Sequence, residues 1–316
     1  MNLSACLKAL LLPSFMLANS ASAQFTLPSM EEFRRVSANG ATVLQLTIDN
    51  DSLLLQRDDG FYTSGNQISS RRVLNNKQNS TQTSISYGWQ LGQDLYTASD
   101  IKLAPAKIAS NDHPYAGWLY AGVFRAAAEA GGASSRFALD FGCFGPCAGG
   151  ERTQTQLHRL INQPKPQGWS TQLQQEWGVV LSGEWSPSRW LSLESVDLLP
   201  KFKMQIGNIF TNASVDATLR FGQLSQLPEQ SANFGFMRGE VKAIAYDATI
   251  QGGYFNHQQL SPQIQRSVGE LELGYQWRSA DFSVGVSMIR RSKGIRNLPD
   301  ALGVQNFARL QFNYSM

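Results

Sequence analysis

The stretch ELELGYQWR, residues 270–278, decides the fold class because its apolar residues recur at every second position. In an extended strand, one face would carry only large apolar side chains and the other only polar side chains and glycine: Leu271, Leu273, Tyr275 and Trp277 against Glu270, Glu272, Gly274 and Gln276. This period of two predicts a β-strand with one apolar face and one wet face.

The same alternation recurs along most of the chain, for example in TVLQLTID, SISYGWQLG, RFALDFGC and DFSVGVSMI. It predicts about twelve strands, an even number, as bacterial membrane barrels have. We expect them near 41–50, 61–73, 83–92, 115–129, 134–143, 173–186, 190–206, 214–222, 239–249, 267–278, 281–291 and 304–316.

Alternation alone also fits a soluble β-sandwich, which is the main alternative. The apolar faces are rich in Trp, Tyr and Phe, as an aromatic girdle requires, and the polar faces suit a water-filled lumen. The last strand, VQNFARLQFNYSM at 304–316, is amphipathic and aromatic, which is typical of outer-membrane barrels. The fold class is therefore predicted as all-β, a single transmembrane antiparallel β-barrel over residues 41–316.

The N-terminus predicts export. Residues 1–23 contain Lys8, a short apolar run and the sequence Ala21-Ser22-Ala23, which together form a secretory signal with an A-x-A cleavage site. Residues 24–40 precede the first strand, and we expect them to stay in the periplasm. No later stretch approaches eighteen consecutive apolar residues, which excludes a helical membrane protein.

Charge and cysteine content narrow the function further. The formal net charge of +3 is too small to favour nucleic-acid binding. Beyond the signal, the cysteines are Cys143 and Cys147 in CFGPC, and in an oxidising compartment this spacing favours a small disulfide. A metal site is the weaker reading, since no second Cys/His pair lies at ligand spacing.

Barrel topology places the polar clusters on one side of the membrane. Bacterial barrels keep both termini and their short turns in the periplasm and their long loops outside. The segments DNDS, NDHPYAG and the loop of His158 then all fall on the outer side. In this scheme the 223–238 connection is too long for a periplasmic turn.

Three segments carry a family resemblance: IDNDSLL with RDDGFYTSG, then NDHPYAGWLYAG, then GCFGPCAGGERTQTQLHRLINQPKPQGWSTQLQQEWG; RSKGIRN is a weaker match. In this order they resemble the outer-membrane lipid A 3-O-deacylase family, over essentially the whole mature chain. The resemblance implies a twelve-stranded barrel in the bacterial outer membrane. It also implies calcium-dependent removal of the 3′-linked acyloxyacyl chain from lipid A, the lipid anchor of lipopolysaccharide.

The resemblance assigns roles to individual positions. His158 matches the family's catalytic histidine, and Gln154 the glutamine one helical turn before it. Asn50 and Asp51 match an essential Asn-Asp pair. The hydroxyl of the YTSG motif is Thr63 or Ser64; Thr63 is favoured, and Ser64 is placed with the substrate-binding residues.

The chain departs from the family at His113, where members usually have Arg. If that Arg contacts a lipid A phosphate, the contact here must weaken at His113 or move to Lys102 or Lys107. We keep His113 and Lys107 as candidate substrate-binding residues.

The chemistry of these residue types agrees with the assigned roles. Pro and Gly bound the segment Thr153–Ile161, which predicts a short helix with Gln154 and His158 on one face. Histidine titrates near neutral pH, as a general base in ester hydrolysis should. Asp51 is the predicted Ca²⁺ ligand, with an Asx turn as the structural alternative.

Other residues and functions remain as alternatives. Asp58 and Asp59 are second choices as ligands, and His257 sits in a plausible solvated loop. Ser64 could act as the nucleophile, although water fits better; no G-x-S-x-G elbow occurs. An outer-membrane phospholipase with the same site and a non-catalytic barrel or channel are the competing functions. We expect a monomer.

Overall fold

A computed structural model describes residues 28–54, 60–78, 81–256, 258 and 260–316. The predicted signal peptide, the beginning of segment 24–40, Asp58, Asp59 and His257 lie outside the described residues. Among the helices of the described ranges, none has the length and apolar character needed to cross a membrane.

The described chain forms a closed antiparallel barrel of twelve strands, as predicted. A thirteenth strand of two residues, β7, lies at the rim of the barrel, where it pairs with β8. The strands are β1 Ala41–Asn50, β2 Phe61–Gln78, β3 Thr81–Thr97, β4 Ala116–Glu129, β5 Ser134–Phe144, β6 Glu176–Ser186, β7 Leu191–Ser192, β8 Val196–Gly207, β9 Phe210–Gln223, β10 Ala232–Asp247, β11 Ser267–Arg278, β12 Phe282–Arg291 and β13 Gln305–Ser315.

Two strand pairs close the ring. β1 pairs with β13 from Val43↔Ser315 to Asn50↔Ala308, and β6 pairs with β8. At the first seam, the guanidinium of Arg309 donates to both carboxylate oxygens of Asp49, at 2.7 Å each. These two residues are direct partners in the register, so the ion pair joins the ends of the chain inside the lumen.

Side-chain direction follows the strand alternation. Outward positions carry exposed apolar and aromatic residues, among them Trp89, Val123, Phe141, Trp177, Leu273, Trp277 and Tyr314. Inward positions carry the charged and amide side chains that line a lumenal cavity of about 730 Å³, among them Gln67, Arg71, Gln90, Arg136, Glu184, Lys203, Arg238 and Glu270. This apolar exterior around a polar interior is the pattern of a membrane barrel.

An apolar cluster fills the lumen beneath the long loops. Trp118 of β4 packs there with Phe144 and Val180, and the partly buried Tyr96 and Tyr120 lie against them. A second cluster, around Phe61, Ile250, Ile264, Ile295 and Leu298, packs the loops above. This packing disfavours an open water-filled pore through the described barrel.

Several strand boundaries predicted from the sequence were wrong, and the differences explain the long 223–238 connection. β9 extends to Gln223 and β10 begins at Ala232, so only residues 224–231 connect them. The prediction missed these ends because ANFGFMRG mixes Gly, Asn and Arg into the alternation. The predicted strand 190–206 is β7 and β8, with a break between them.

Among the described residues, four α-helices accompany the barrel: α1 Met30–Asn39, α2 Gly150–Leu160, α3 Ala248–Gln251 and α4 Asp300–Gly303. α1 starts at a capping sequence, where the Ser29 hydroxyl accepts a hydrogen bond from the Glu32 backbone N–H at 3.1 Å. Gly40 ends the helix and leads directly into β1.

α1 packs against the outward face of the barrel wall at the short-turn end. Glu32 accepts hydrogen bonds from Arg125 Nε at 2.6 Å, Arg125 Nη2 at 3.0 Å and the Tyr87 hydroxyl at 2.6 Å. Tyr87 and Arg125 are register partners on β3 and β4, and both alternate with the exposed residues Trp89 and Val123. Part of segment 24–40 therefore lies beside the wall on the lipid side; its compartment stays a prediction.

We predict that Glu32→Ala loosens α1. The substitution removes hydrogen bonds to a charged partner, worth about 1.5–3 kcal/mol in total, and takes the carboxylate away from the buried Arg125. Amide hydrogen exchange of residues 30–39 should accelerate by roughly ten-fold or more. Glu31→Ala, at the exposed neighbouring position, is the control and should exchange like wild type. Equal exchange in the two variants would contradict this role of Glu32.

The same contact makes α1 sensitive to acid. Burial raises the pKa of Glu32, but the hydrogen bonds from Arg125 and Tyr87 outweigh it and hold that pKa below its ordinary value of 4.5. Because the pKa is lowered in the folded state, the stabilisation is complete above 4.5 and is lost as the pH falls below that value. Wild-type α1 should loosen in this acid range, whereas Glu32→Gln should not change across it.

Candidate functional site

The helix predicted around His158 is α2, which begins at Gly150, three residues earlier than expected, and ends at Leu160. Cys143 and Cys147 form a disulfide, with their Cα atoms 5.9 Å apart, just before it. Gly149 then turns the chain with a φ of 69°, a left-handed conformation that favours glycine. Gln154 and His158 lie one turn apart on the buried face of α2, as the sequence predicted.

α2 lies on the outward side of the barrel wall at the long-loop end. The side-chain amide of Gln93 in β3 donates to the Ala148 carbonyl at 2.7 Å and to the Thr153 hydroxyl at 3.2 Å. Gln93 alternates with the exposed Leu91, so its side chain leaves the wall on the lipid side. The helix is thus attached at the outer rim and not inside the lumen.

Trp169 fixes the orientation of Gln154. Its indole N–H donates to Gln154 Oε1 at 2.8 Å. Because an indole nitrogen can only donate, the accepting atom must be the amide oxygen, and the amide nitrogen points elsewhere. That nitrogen is buried and has no hydrogen-bond partner among the described residues. Gln154 therefore holds an N–H donor for which the described residues supply no acceptor.

His158 is held in one tautomer. Its side chain is 5 % exposed, and Nδ1 lies 2.6 Å from the Pro164 carbonyl oxygen. A carbonyl can only accept, so Nδ1 carries the proton; when the ring is neutral, Nε2 is then its unprotonated nitrogen. This arrangement is the one that a general base needs.

Asn50 and Asp51 lie where β1 ends. The Asn50 side-chain oxygen accepts from the Ser52 backbone N–H at 2.8 Å and from the Ser52 hydroxyl, so an Asx turn is present at Asn50, whereas the alternative considered for Asp51 was a turn closed by Asp51 itself. The buried Asp51 carboxylate accepts from the Gly60 N–H at 3.1 Å. A Cβ at Gly60 would lie 3.0 Å from the Ser99 carbonyl oxygen, so Gly60 brings Asp51 close to the loop after β3.

The two candidate hydroxyls sit at a β-bulge. The register between β2 and β3 shifts between Tyr62 and Ser64, so Thr63 is the extra residue. The Thr63 hydroxyl lies 2.7 Å from the Thr97 hydroxyl, and both residues are buried. Ser64 is opposite Asn50 and accepts from the Asn66 amide at 3.0 Å.

His113 is enclosed by protein. Its ring stacks on Tyr96 at 5.7 Å and meets the edge of Phe61 at 6.1 Å, and Nδ1 bonds the Pro114 carbonyl at 2.7 Å. Burial lowers the pKa of His113, so a positive charge that would replace the family's Arg is disfavoured here. Substrate binding by His113 stays a prediction. Lys102 and Lys107 are both exposed in the same loop and remain available cations.

A series of contacts joins these residues at the outer rim. Ser99 bonds Asp112 through its N–H and its hydroxyl, at 3.0 and 2.7 Å, which holds the loop between β3 and β4. Ala98, next to Thr97, packs in one apolar cluster with Trp169, the residue that binds Gln154. The Asp51 side and the His158 side of the site therefore meet across this cluster. None of the candidate residues lines the lumenal cavity.

Sequence reasoning missed Gln93, Thr97 and Trp169, which position the candidate residues. Polar residues at outward strand positions could have revealed two of them. In QDLYT, the alternation of β3 places Gln93 and Thr97 at positions where apolar side chains are expected. Such residues need a protein partner above the membrane surface.

The oxygen atoms around Asp51 are of the chemical types that bind calcium. Calcium prefers carboxylate, carbonyl and hydroxyl oxygens, and the region offers Asp51 with the Thr63–Thr97 pair and loop carbonyls. Within the described part of the chain, no group of three or more His, Cys, Asp or Glu residues could hold a metal. Carboxylates alone would therefore not complete a site, and neutral oxygens would have to contribute.

Comparison with known proteins agrees with this architecture. A family model described as "Outer membrane protein LpxR" matches residues 9–316. The structure of LpxR from Salmonella typhimurium is 19% identical, with coverage of 86% of this chain and 99% of that chain and a TM-score of 0.69. The β domain of the Bordetella autotransporter BrkA is 10% identical, with coverage of 87% and 98% and a TM-score of 0.45. A search of curated proteins found no match.

The family match confirms the resemblance found in the sequence and the location in the bacterial outer membrane. It extends through every strand of the barrel and through α2. Because one family model accounts for nearly the whole chain, this protein belongs to the outer membrane protein LpxR family.

Proposed function

We propose that this protein is a lipid A deacylase that hydrolyses the 3′-linked acyloxyacyl ester in the outer leaflet. The observation that carries the proposal is the position of His158: its ring, whose Nδ1 bonds the Pro164 carbonyl, lies on the lipid side of the outer rim. A lipid substrate would reach this place from within the membrane, without entering the lumen.

Apolar side chains on α2 support a lipid substrate. Leu157 and Ile161 are partly exposed at the end of the helix, and Leu160 is 83 % exposed. Exposed apolar groups beside a catalytic histidine cost little if acyl chains cover them. Lys107, exposed in the loop between β3 and β4, is the cation proposed to contact a lipid A phosphate.

In the proposed reaction, His158 Nε2 removes a proton from water, and the oxygen attacks the ester carbonyl carbon. The carbonyl oxygen becomes an oxyanion, to which the amide N–H of Gln154 would donate while Trp169 holds the amide oxygen. Collapse of this intermediate breaks the bond to the sugar oxygen, and His158 returns the proton to that oxygen. Asn50 and Thr63 would orient the water and the ester.

Calcium bound at Asp51 would supply positive charge that further stabilises the oxyanion. The residues of this chain that would hold it are Asp51, with oxygens from Thr63, Thr97 and nearby loop carbonyls. We expect the protein to act as a monomer.

The first of three predictions about the candidate site tests His158 as the general base. His158→Ala and His158→Asn should lower the rate of fatty acid release from lipid A by about 10²–10⁴-fold, the usual cost of losing a general base. The barrel should stay folded, as judged by heat-modifiable gel mobility. Mass spectrometry of lipid A measures the product, and His257→Ala is the control. Retention of more than about a tenth of the activity would remove His158 from this role.

The same assay separates the competing functions. A phospholipase would release fatty acid from phospholipid and leave lipid A intact. A channel would conduct ions in a bilayer and release fatty acid from neither lipid.

The second prediction concerns calcium. A chelator should abolish activity, and added calcium should restore it. Calcium should also raise the melting temperature of the wild type but not of Asp51→Ala. Asp100→Ala, at an exposed loop carboxylate, is the matched control and should keep both effects. Full activity in chelator would refute the metal role while leaving the base assignment intact.

The third prediction concerns Trp169. Trp169→Phe keeps an aromatic ring against Tyr115 but removes the N–H that orients Gln154, which then loses its fixed amide direction. We expect kcat to fall roughly ten-fold, the effect of about 1.4 kcal/mol in the transition state, with KM little changed. Trp177→Phe, on the exposed barrel wall, is the control and should leave kcat and KM unchanged. Unchanged kcat in Trp169→Phe would mean that the orientation of Gln154 has no part in catalysis.

A further inference from the structure

α1 combines exposed apolar side chains with exposed arginines. Only a narrow face is covered: Val36 is fully buried, and Glu32 is held by Arg125. Phe33 meets the edge of Tyr87 at 5.4 Å yet is 43 % exposed, and Met30 is 66 % exposed. Two apolar residues, three apart and therefore on one flank, are left largely uncovered by the described part of the chain.

The basic residues of α1 divide between its two sides. At about 100° per residue, Arg34 follows directly beside the Met30–Phe33 flank, whereas Arg35 lies nearer the opposite flank with Glu31. Arg34 and Arg35 are both exposed. An apolar strip bordered by an arginine is the arrangement of helices that lie in a membrane interface.

The position of α1 indicates what covers this flank. The residues that hold the helix, Tyr87 and Arg125, are the next outward residues after Trp89 and Val123, which are 49 % and 61 % exposed. In a membrane barrel such exposed outward residues face hydrocarbon. Two residues along a strand span about 7 Å. Tyr87 and Arg125 lie that far toward the short turns, which places α1 at the boundary of the inner leaflet of the outer membrane.

We propose that α1 is a binding site for anionic phospholipid headgroups of the inner leaflet. Met30 and Phe33 insert at the boundary between headgroups and acyl chains, and Arg34 pairs with a lipid phosphate. The Glu32–Arg125 ion pair neutralises the charges underneath, so the exposed flank keeps a positive charge. This role is independent of the deacylase reaction at the opposite rim.

The test uses the full-length barrel in nanodiscs of phosphatidylcholine alone or of phosphatidylcholine mixed with phosphatidylglycerol. Hydrogen exchange of residues 30–39 should be about five-fold slower with phosphatidylglycerol, the factor that one basic residue contributes near an anionic surface. High salt should reduce this difference.

Three variants identify the flank. Arg34→Gln should abolish the dependence on phosphatidylglycerol, whereas Arg35→Gln should largely preserve it. Phe33→Ser should accelerate exchange in both lipids, and its barrel fold is checked by heat-modifiable mobility. Equal exchange of wild-type α1 in the two nanodiscs would overturn the proposal, as would equal effects of the Arg34 and Arg35 variants.

Discussion

Closure of the strand ring is the constraint on which the rest of this structure depends. Hydrocarbon offers no partner to an unpaired backbone N–H or carbonyl, so every strand inside the bilayer must have two neighbours. β1 therefore pairs with β13 and β6 with β8. Once that register is set, the alternation decides the direction of every side chain. Asp49 meets Arg309 in the lumen, and Asn50, one residue later, points out of the wall.

The direction of side chains explains why the candidate site is separate from the lumen. Gln93 and Thr97 leave β3 on its outward side, and α2 and Thr63 are attached to them there. The cavity inside the barrel is lined by charged residues and closed by an apolar cluster at the long-loop end. The wall thus acts as the support of the candidate site, and the proposed lipid substrate would meet it at the rim.

The sequence predicted the elements that local pattern controls. Period-two alternation indicated the barrel, and the four-residue spacing of Gln154 and His158 indicated one helix face. Strand ends were predicted poorly, because pairing continues beyond the apolar band into stretches such as the start of β10, where polar residues and Gly obscure the period. Trp169 was not predictable, because its bond to Gln154 joins segments that only the folded loop brings together.

Departures from the alternation were nevertheless informative. A polar side chain at an outward position cannot stay in hydrocarbon without a partner. Gln93 is covered by α2 at the outer rim, and Arg125 by α1 at the other rim. These two exceptions therefore mark places where an accessory helix packs on the barrel, whereas the outward Arg290 donates to Asn306 of the neighbouring strand. In this barrel, two of the outward positions that break the apolar pattern thus locate the helices that pack on the wall.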